Sequence, residues 1–148
     1  MQVKELVIKN NHYPCIVFDR YDREDCKRRP DCLFIFGDNW LRAGFGGQAV
    51  IRPAKNAIGI ITKKTPSHNK SAYYYDKDFT EYCNELDKDL RAAQEAFKTG
   101  GYKVFGWPLA GIGTGLAKLP ITAPTCFYYL QSSIHIKEYP ICEPLYTL

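Results

Sequence analysis

The sequence contains no apolar run approaching the roughly 18 residues of a membrane-spanning helix. Its opening stretch, MQVKELVIKNN, mixes charges among the apolar residues and lacks the continuous apolar block of a signal peptide. There is no internal repeat, no low-complexity tract and no domain linker. No CxxC pair and no Cys/His cluster has zinc-ligand spacing, so no metal site is expected. The six cysteines, Cys15, Cys26, Cys32, Cys83, Cys126 and Cys142, are scattered and mostly inside apolar runs. They read as reduced thiols of a cytoplasmic protein rather than a disulfide framework. A GK[ST] triplet is missing, which excludes a P-loop, and nothing calls for a cofactor. Neither sign of charge dominates. The net charge of +4 and pI near 8.7 suit a phosphate ligand but fall below the pI above ~9 that marks nucleic-acid binders by charge alone.

What is present is ordinary globular composition. Of 148 residues, 45% are hydrophobic and 24% charged, which fits one domain over 1–148. Segments 3–8 and 13–18 read as strands near a sheet edge, because Pro14 cannot donate to a ladder. Residues 19–31 (DRYDREDCKRRPD) are almost all charge and read as a solvated loop. Three short apolar runs follow, at 32–36 (CLFIF), 57–62 (AIGIIT) and 103–107 (KVFGW). Such runs mark strands buried on both faces of a parallel sheet. Between the last two, Phe79, Tyr82, Cys83, Leu86, Leu90, Ala93 and Phe97 recur at helical steps and form one apolar stripe. Asp78 with Glu81 makes a capping-box pattern at its start, and Gly100-Gly101 closes it. A last helix is expected after Pro120, through Phe127, Tyr128 and Leu130, with a further strand at 133–137. Strands alternating with helices imply an α/β fold with a mostly parallel sheet covered on both faces. In such folds ligands sit outside the carboxyl ends of the strands.

Two glycine-rich loops occupy that position. The first runs from Gly37-Asp38-Asn39 through Gly44, Phe45, Gly46 and Gly47 into a short helix at 48–52. Its glycines allow close backbone approach to a ligand, the helix start suits a phosphate, and Asp38 and Asn39 can bond ribose hydroxyls. The second is Gly111-Ile112-Gly113-Thr114-Gly115-Leu116-Ala117, whose alternating glycines make an anion-holding nest of amides. Neither matches the dinucleotide fingerprint. A third position is the end of the 57–62 strand, Lys63-Lys64, followed by His68. A lysine there either holds a phosphate or attacks a sugar carbon as a free amine. Tyr73-Tyr74-Tyr75 can stack on a base or pack as a staple.

In order, these segments resemble a macrodomain of the lysine-dependent class, the group of the terminal ADP-ribose protein glycohydrolase and the DarG antitoxins. IITKKTPSH (60–68) looks like its strand-plus-lysine segment and WPLAGIGTGLAKL (107–119) like its phosphate loop. LRAGFGGQA (41–49) is similar to its first glycine loop, and LYTL (145–148) to a terminal strand. The resemblance implies a macrodomain-like three-layer α/β/α fold with a mixed, mostly parallel sheet. It also implies Lys63 as the catalytic residue. Three departures stand out. Ala117 stands where the protein-directed glycohydrolase has an aspartate, although DarG-type chains carry a small residue there. Pro53 interrupts the helix after the first loop. The GD(L/I) motif of the adenine-binding aspartate is not visible, and Asp19 is the candidate substitute.

The function expected from this is an ADP-ribosyl hydrolase that removes ADP-ribose from protein or DNA. Lys63 would act on the distal ribose, and Gly44–Gly47 with Gly111, Ile112, Gly113, Thr114, Gly115 and Leu116 would hold the diphosphate. The alternative is a module that recognises or sequesters ADP-ribose or a cyclic relative without turnover. A third reading, nucleic-acid binding, rests on Lys63, Lys64 and the basic run Lys27-Arg28-Arg29. No membrane partner is expected.

Overall fold

The computed structural model describes residues 2–144, which form six strands and four helices joined by 3-10 turns. The expected terminal strand at 145–148 lies outside the described residues. Strand β1 (Val3–Ile8) turns through Lys9 and Asn10, both with positive φ, into β2 (Asn11–Phe18). Ile8 pairs directly with Asn11, so this is a two-residue hairpin. Helix α1 (Arg23–Arg28) leads to β3 (Cys32–Asn39), and β4 (Ala57–Lys63) follows. Helix α2 (Phe79–Thr99), β5 (Val104–Pro108), α3 (Leu119–Thr122), α4 (Pro124–Ser133) and β6 (Ile134–Ile136) complete the order.

The sheet runs β4-β3-β5-β2-β1-β6. Pairs β3/β4, β3/β5 and β2/β5 are parallel, while β1 is antiparallel to both β2 and β6. The sheet is therefore mixed, with β1 alone opposing the rest. β2 is an interior strand, which corrects the edge position inferred from Pro14. The proline is tolerated because pairing with β5 begins one residue later, at Cys15.

Alternation along β3 divides the core. Leu33 and Ile35 face a large cluster with Tyr82, Leu86, Leu90 and Ala93 of α2 and Cys126 and Leu130 of α4. Cys32, Phe34 and Phe36 face a smaller cluster with Cys26 of α1 and Ala49 and Ile51 of a 3-10 turn (Gly47–Ile51). Both faces are thus covered. Burying each of Leu86 and Leu90 contributes about 2 kcal/mol.

Four local expectations need correction. The charged segment 19–31 contains α1, because Asp22 and Asp25 form a reciprocal capping box around it and Cys26 anchors it. Asp78 does not cap α2: it ends a 3-10 turn (Asp76–Asp78), and its carboxylate reaches back to the Tyr75 amide. The single last helix is two, since Pro124 keeps Ala123, at φ −145° and ψ 70°, out of the helical conformation between α3 and α4. The short helix after the first loop is a 3-10 turn ending before Pro53. No helix among the described residues is long and apolar enough to cross a membrane.

Candidate functional site

Four parallel strands end along one edge, β2 at Phe18, β3 at Asn39, β4 at Lys63 and β5 at Pro108. Outside them lies a cleft of about 590 Å³. One wall is the β2–α1 connection with Asp19, Arg20 and Asp22, and Gly46, Gly47 and Gln48 form another. Thr62 and the second loop, 110–117, add to the lining, with Gly37 and Val50 beside them. The two glycine loops meet across it: a Cβ built on Gly46 would lie 3.1 Å from Leu116 Cδ1. Gln48 ties the first loop to the far wall, accepting from the Tyr21 amide (3.1 Å) and donating to the Tyr21 carbonyl (2.7 Å).

The backbone of both loops carries the main chemical signal. Among the described residues, the N–H groups of 46–48 and of 112–117 donate to no acceptor. Gly46, Gly47, Thr114, Gly115 and Leu116 are exposed, so most of these amides are open to water, and the two facing runs offer donors that an anion could take up. The second run is held open by its own turns. Gly111 N donates to Pro108 O (2.8 Å), Lys118 N to Gly115 O (3.1 Å) and Leu119 N to Gly113 O (2.9 Å). Gly113 has φ 83°, and its missing Cβ would point at Leu130 and Leu119, away from the cleft. Gly44 packs on Pro66, Phe45 is exposed with its ring beside the Arg23 guanidinium, and Thr114 Oγ1 donates to Ala110 O.

Asp38 and Asn39, expected to orient a ribose, are buried and do not line the cleft. Arg52 grips both Asp38 oxygens, at 2.6 and 3.0 Å, and also donates to the Gly44 and Ala43 carbonyls. Arg42 stands 3.5 Å from Asp38 and makes a bidentate pair with Asp89 of α2 at 2.7 and 2.9 Å. Asp89 further accepts the Ile61 amide of edge strand β4 at 2.7 Å. Burial lifts the Asp89 carboxyl above the usual aspartate value in spite of Arg42. Asn39 brackets Ala43, donating to its carbonyl (2.6 Å) and accepting from its amide (3.4 Å). These groups fix the first loop from beneath, turning its carbonyls toward Arg52.

Lys63 is 7% exposed and has no ion pair among the described residues. Its amine lies 4.8 Å from the Tyr73 ring centroid, and Lys118 approaches the same ring at 5.7 Å. Burial, and next the Lys118 charge, hold the Lys63 amine below the usual lysine range. Lys63 is one residue beyond the cleft-lining Thr62 and is not itself part of that lining. Lys64 points elsewhere and pairs with Asp78 at 3.1 Å. The tyrosines are not free to stack: Tyr73 lies under Lys63, Tyr74 is buried edge-on against Tyr82, and Tyr75 donates to Lys70 O. His68 is exposed. The basic run of α1 is neutralised locally, Lys27 by Glu24, Arg28 by Asp25 and Arg29 by Asp31. Lys64 is paired as well, which leaves Lys63 as the basic side chain of that set without an ion pair among the described residues.

Sequence reasoning missed Arg42, Arg52, Asp89 and Lys118. Their partners lie in other elements, so no local pattern announces them. A family model described as a family of unknown function (DUF7831) matches residues 16–133. No curated protein and no solved structure matches the chain.

Proposed function

The chain belongs to the DUF7831 family, and from its residues we propose that it recognises an ADP-ribose-like nucleotide and removes ADP-ribose from a modified protein or DNA. One observation carries this reading: two facing runs of unpaired amides, at 46–48 and 112–117, line a single cleft at the carboxyl edge of the sheet. A diphosphate supplies several acceptors and negative charge to both runs at once. Asp19, exposed on the far wall, is within the cleft and suits the exocyclic amine of a purine. The macrodomain resemblance of the two loops and of the Lys63 segment supplies the ribose and the reaction. The helix-covered mixed sheet is compatible with the macrodomain-like α/β/α arrangement.

In the reaction proposed, the Lys63 amine attacks C1″ of the distal ribose. The bond from C1″ to the acceptor breaks, and its electron pair leaves on the acceptor atom. Water then hydrolyses the lysine adduct, which restores the amine and yields ADP-ribose. The Asp38 and Asn39 network acts at one remove, by holding the first loop in place.

A non-catalytic ADP-ribose binder is the second reading. It is favoured by Lys63 standing outside the cleft lining and by Ala117 within it. Incubation with ADP-ribosylated protein and with ADP-ribosylated DNA, followed by chromatography of the released nucleotide, separates the two. The hydrolase reading expects release by wild type and none by Lys63→Ala. A wild type that binds ADP-ribose yet releases nothing from either substrate overturns hydrolysis in favour of sequestration.

A further inference from the structure

Lys118 has no role in the reading above, yet its placement is unusual. It has φ 52°, a left-handed conformation that costs a non-glycine residue about 1 kcal/mol or more. The surroundings impose it. Lys118 N donates to Gly115 O, while Lys118 O accepts from the Ile121 and Thr122 amides, both at 2.9 Å. Glycine would sit here with less strain. A lysine in this conformation, with its side chain laid toward a buried ring, points to use of the side chain.

The ring it reaches is Tyr73, already approached by Lys63 from the end of β4. Two amines therefore share one aromatic ring with no carboxylate on either among the described residues. The nearby acids are committed, Asp38 to Arg52 and Arg42, and Asp78 to Lys64. The two amines differ in surroundings. Lys118 is exposed, so water stabilises its charge, whereas Lys63 is nearly buried. A ring quadrupole and partial hydration support one cation well, and a second beside it at a cost.

We propose that Lys118 is a positioning residue for Lys63: Lys63 lies nearer the Tyr73 ring, at 4.8 against 5.7 Å, but the solvated Lys118 beside it carries the positive charge of the pair, so that Lys63 is the free amine. This rests on the proposed role of Lys63 as nucleophile and names the group that prepares it. Burial first and the Lys118 charge second hold the Lys63 amine below the usual lysine range, which agrees in direction. Besides Lys118, the Tyr73 ring faces the Lys63 amine, and no carboxylate pairs with that amine among the described residues.

The test follows the ¹³C resonance of Lys63 Cε against pH in the ligand-free full chain, assigned by its loss in Lys63→Arg. Lys118→Gly removes the charge and relieves the backbone strain. Its Lys63 midpoint should rise by about half a pH unit or more. Lys118→Met removes the charge but keeps the stem and should move the midpoint the same way. Lys118→Arg keeps the charge and should titrate like wild type. An unmoved midpoint in the folded Gly and Met variants overturns the proposal, as does an Arg variant that moves with them. No nucleotide enters this experiment. A failure to bind ADP-ribose would therefore count against the nucleotide reading alone, and an unmoved midpoint in a chain that binds ADP-ribose against the lysine pair alone.

Discussion

Gly46 and Gly113 both lie in glycine loops, but a side chain added at each meets different surroundings. At Gly46 φ is −72°, an ordinary value, and the nearest atom is the end of the flexible, exposed Leu116 side chain. Gly46→Glu is therefore expected to fold normally while placing a carboxylate among the unpaired amides. ADP-ribose binding should fall at least a hundredfold, about 3 kcal/mol, with an unchanged melting curve. Gly113 looks equivalent in the sequence, as both belong to glycine clusters. Its φ of 83° and its direction toward Leu130 and Leu119 make it a core position. Gly113→Ala should cost about 2 kcal/mol in urea denaturation, and wild-type stability would contradict this account of the loop. Arg52→Met tests the support of the first loop. It leaves the buried Asp38 carboxylate with the Asn39 amide at 2.8 Å and Arg42 at 3.5 Å, so a loss of about 3 kcal/mol is expected. A loss under about 1 kcal/mol would mean that Arg42 moves in to replace it.

Elements were legible where one physical cause dominated. The apolar runs of β3, β4 and β5 and the stripe of α2 were readable because burial on both faces, or on one stripe, leaves a periodic trace. Capping was less so. Asp78 and Glu81 have capping-box spacing, yet the Asp78 carboxylate serves Tyr75 and Lys64 instead. Sequence spacing cannot tell a helix N-terminus from the 3-10 turn just before it. This placement has a pH consequence. Burial raises the Asp78 carboxyl, but the Tyr75 amide and Lys64 outweigh it and leave it below the usual value of 3.8. A depressed carboxyl stabilises the fold above its unfolded value, and that contribution disappears as pH falls through the folded value. Asp78→Asn should thus cost about 1 kcal/mol at pH near 7, and the gap from wild type should narrow once pH falls below 3.8. A gap as large below that value as at neutral pH would show that the charge is not what Asp78 contributes.

At the scale of the molecule, the sheet brings together what the chain keeps apart. The carboxyl ends of β2, β3, β4 and β5 assemble walls from residues 19–22, 46–48, 62 and 110–117. Both glycine loops were readable in advance, since glycine clusters after buried strands have a local signature. Of the far wall, Asp19 was a candidate through the macrodomain resemblance, but Arg20 was not readable, because it belongs to a charged segment whose position depends on β2 lying beside β5. Nor was the ionic chain from Asp89 through Arg42 and Asp38 to Arg52, which joins α2, the first loop, β3 and the residue after the 3-10 turn. Such long-range pairs leave no trace in spacing. The central claim is that this assembled cleft holds a diphosphate-bridged nucleotide between its two amide runs. Calorimetric titration of the chain with ADP-ribose, beside Gly46→Glu, tests it most directly. The account predicts micromolar binding, about −8 kcal/mol, to wild type and none to the folded variant. No heat from wild type at millimolar ADP-ribose, or equal binding by the variant, would contradict it.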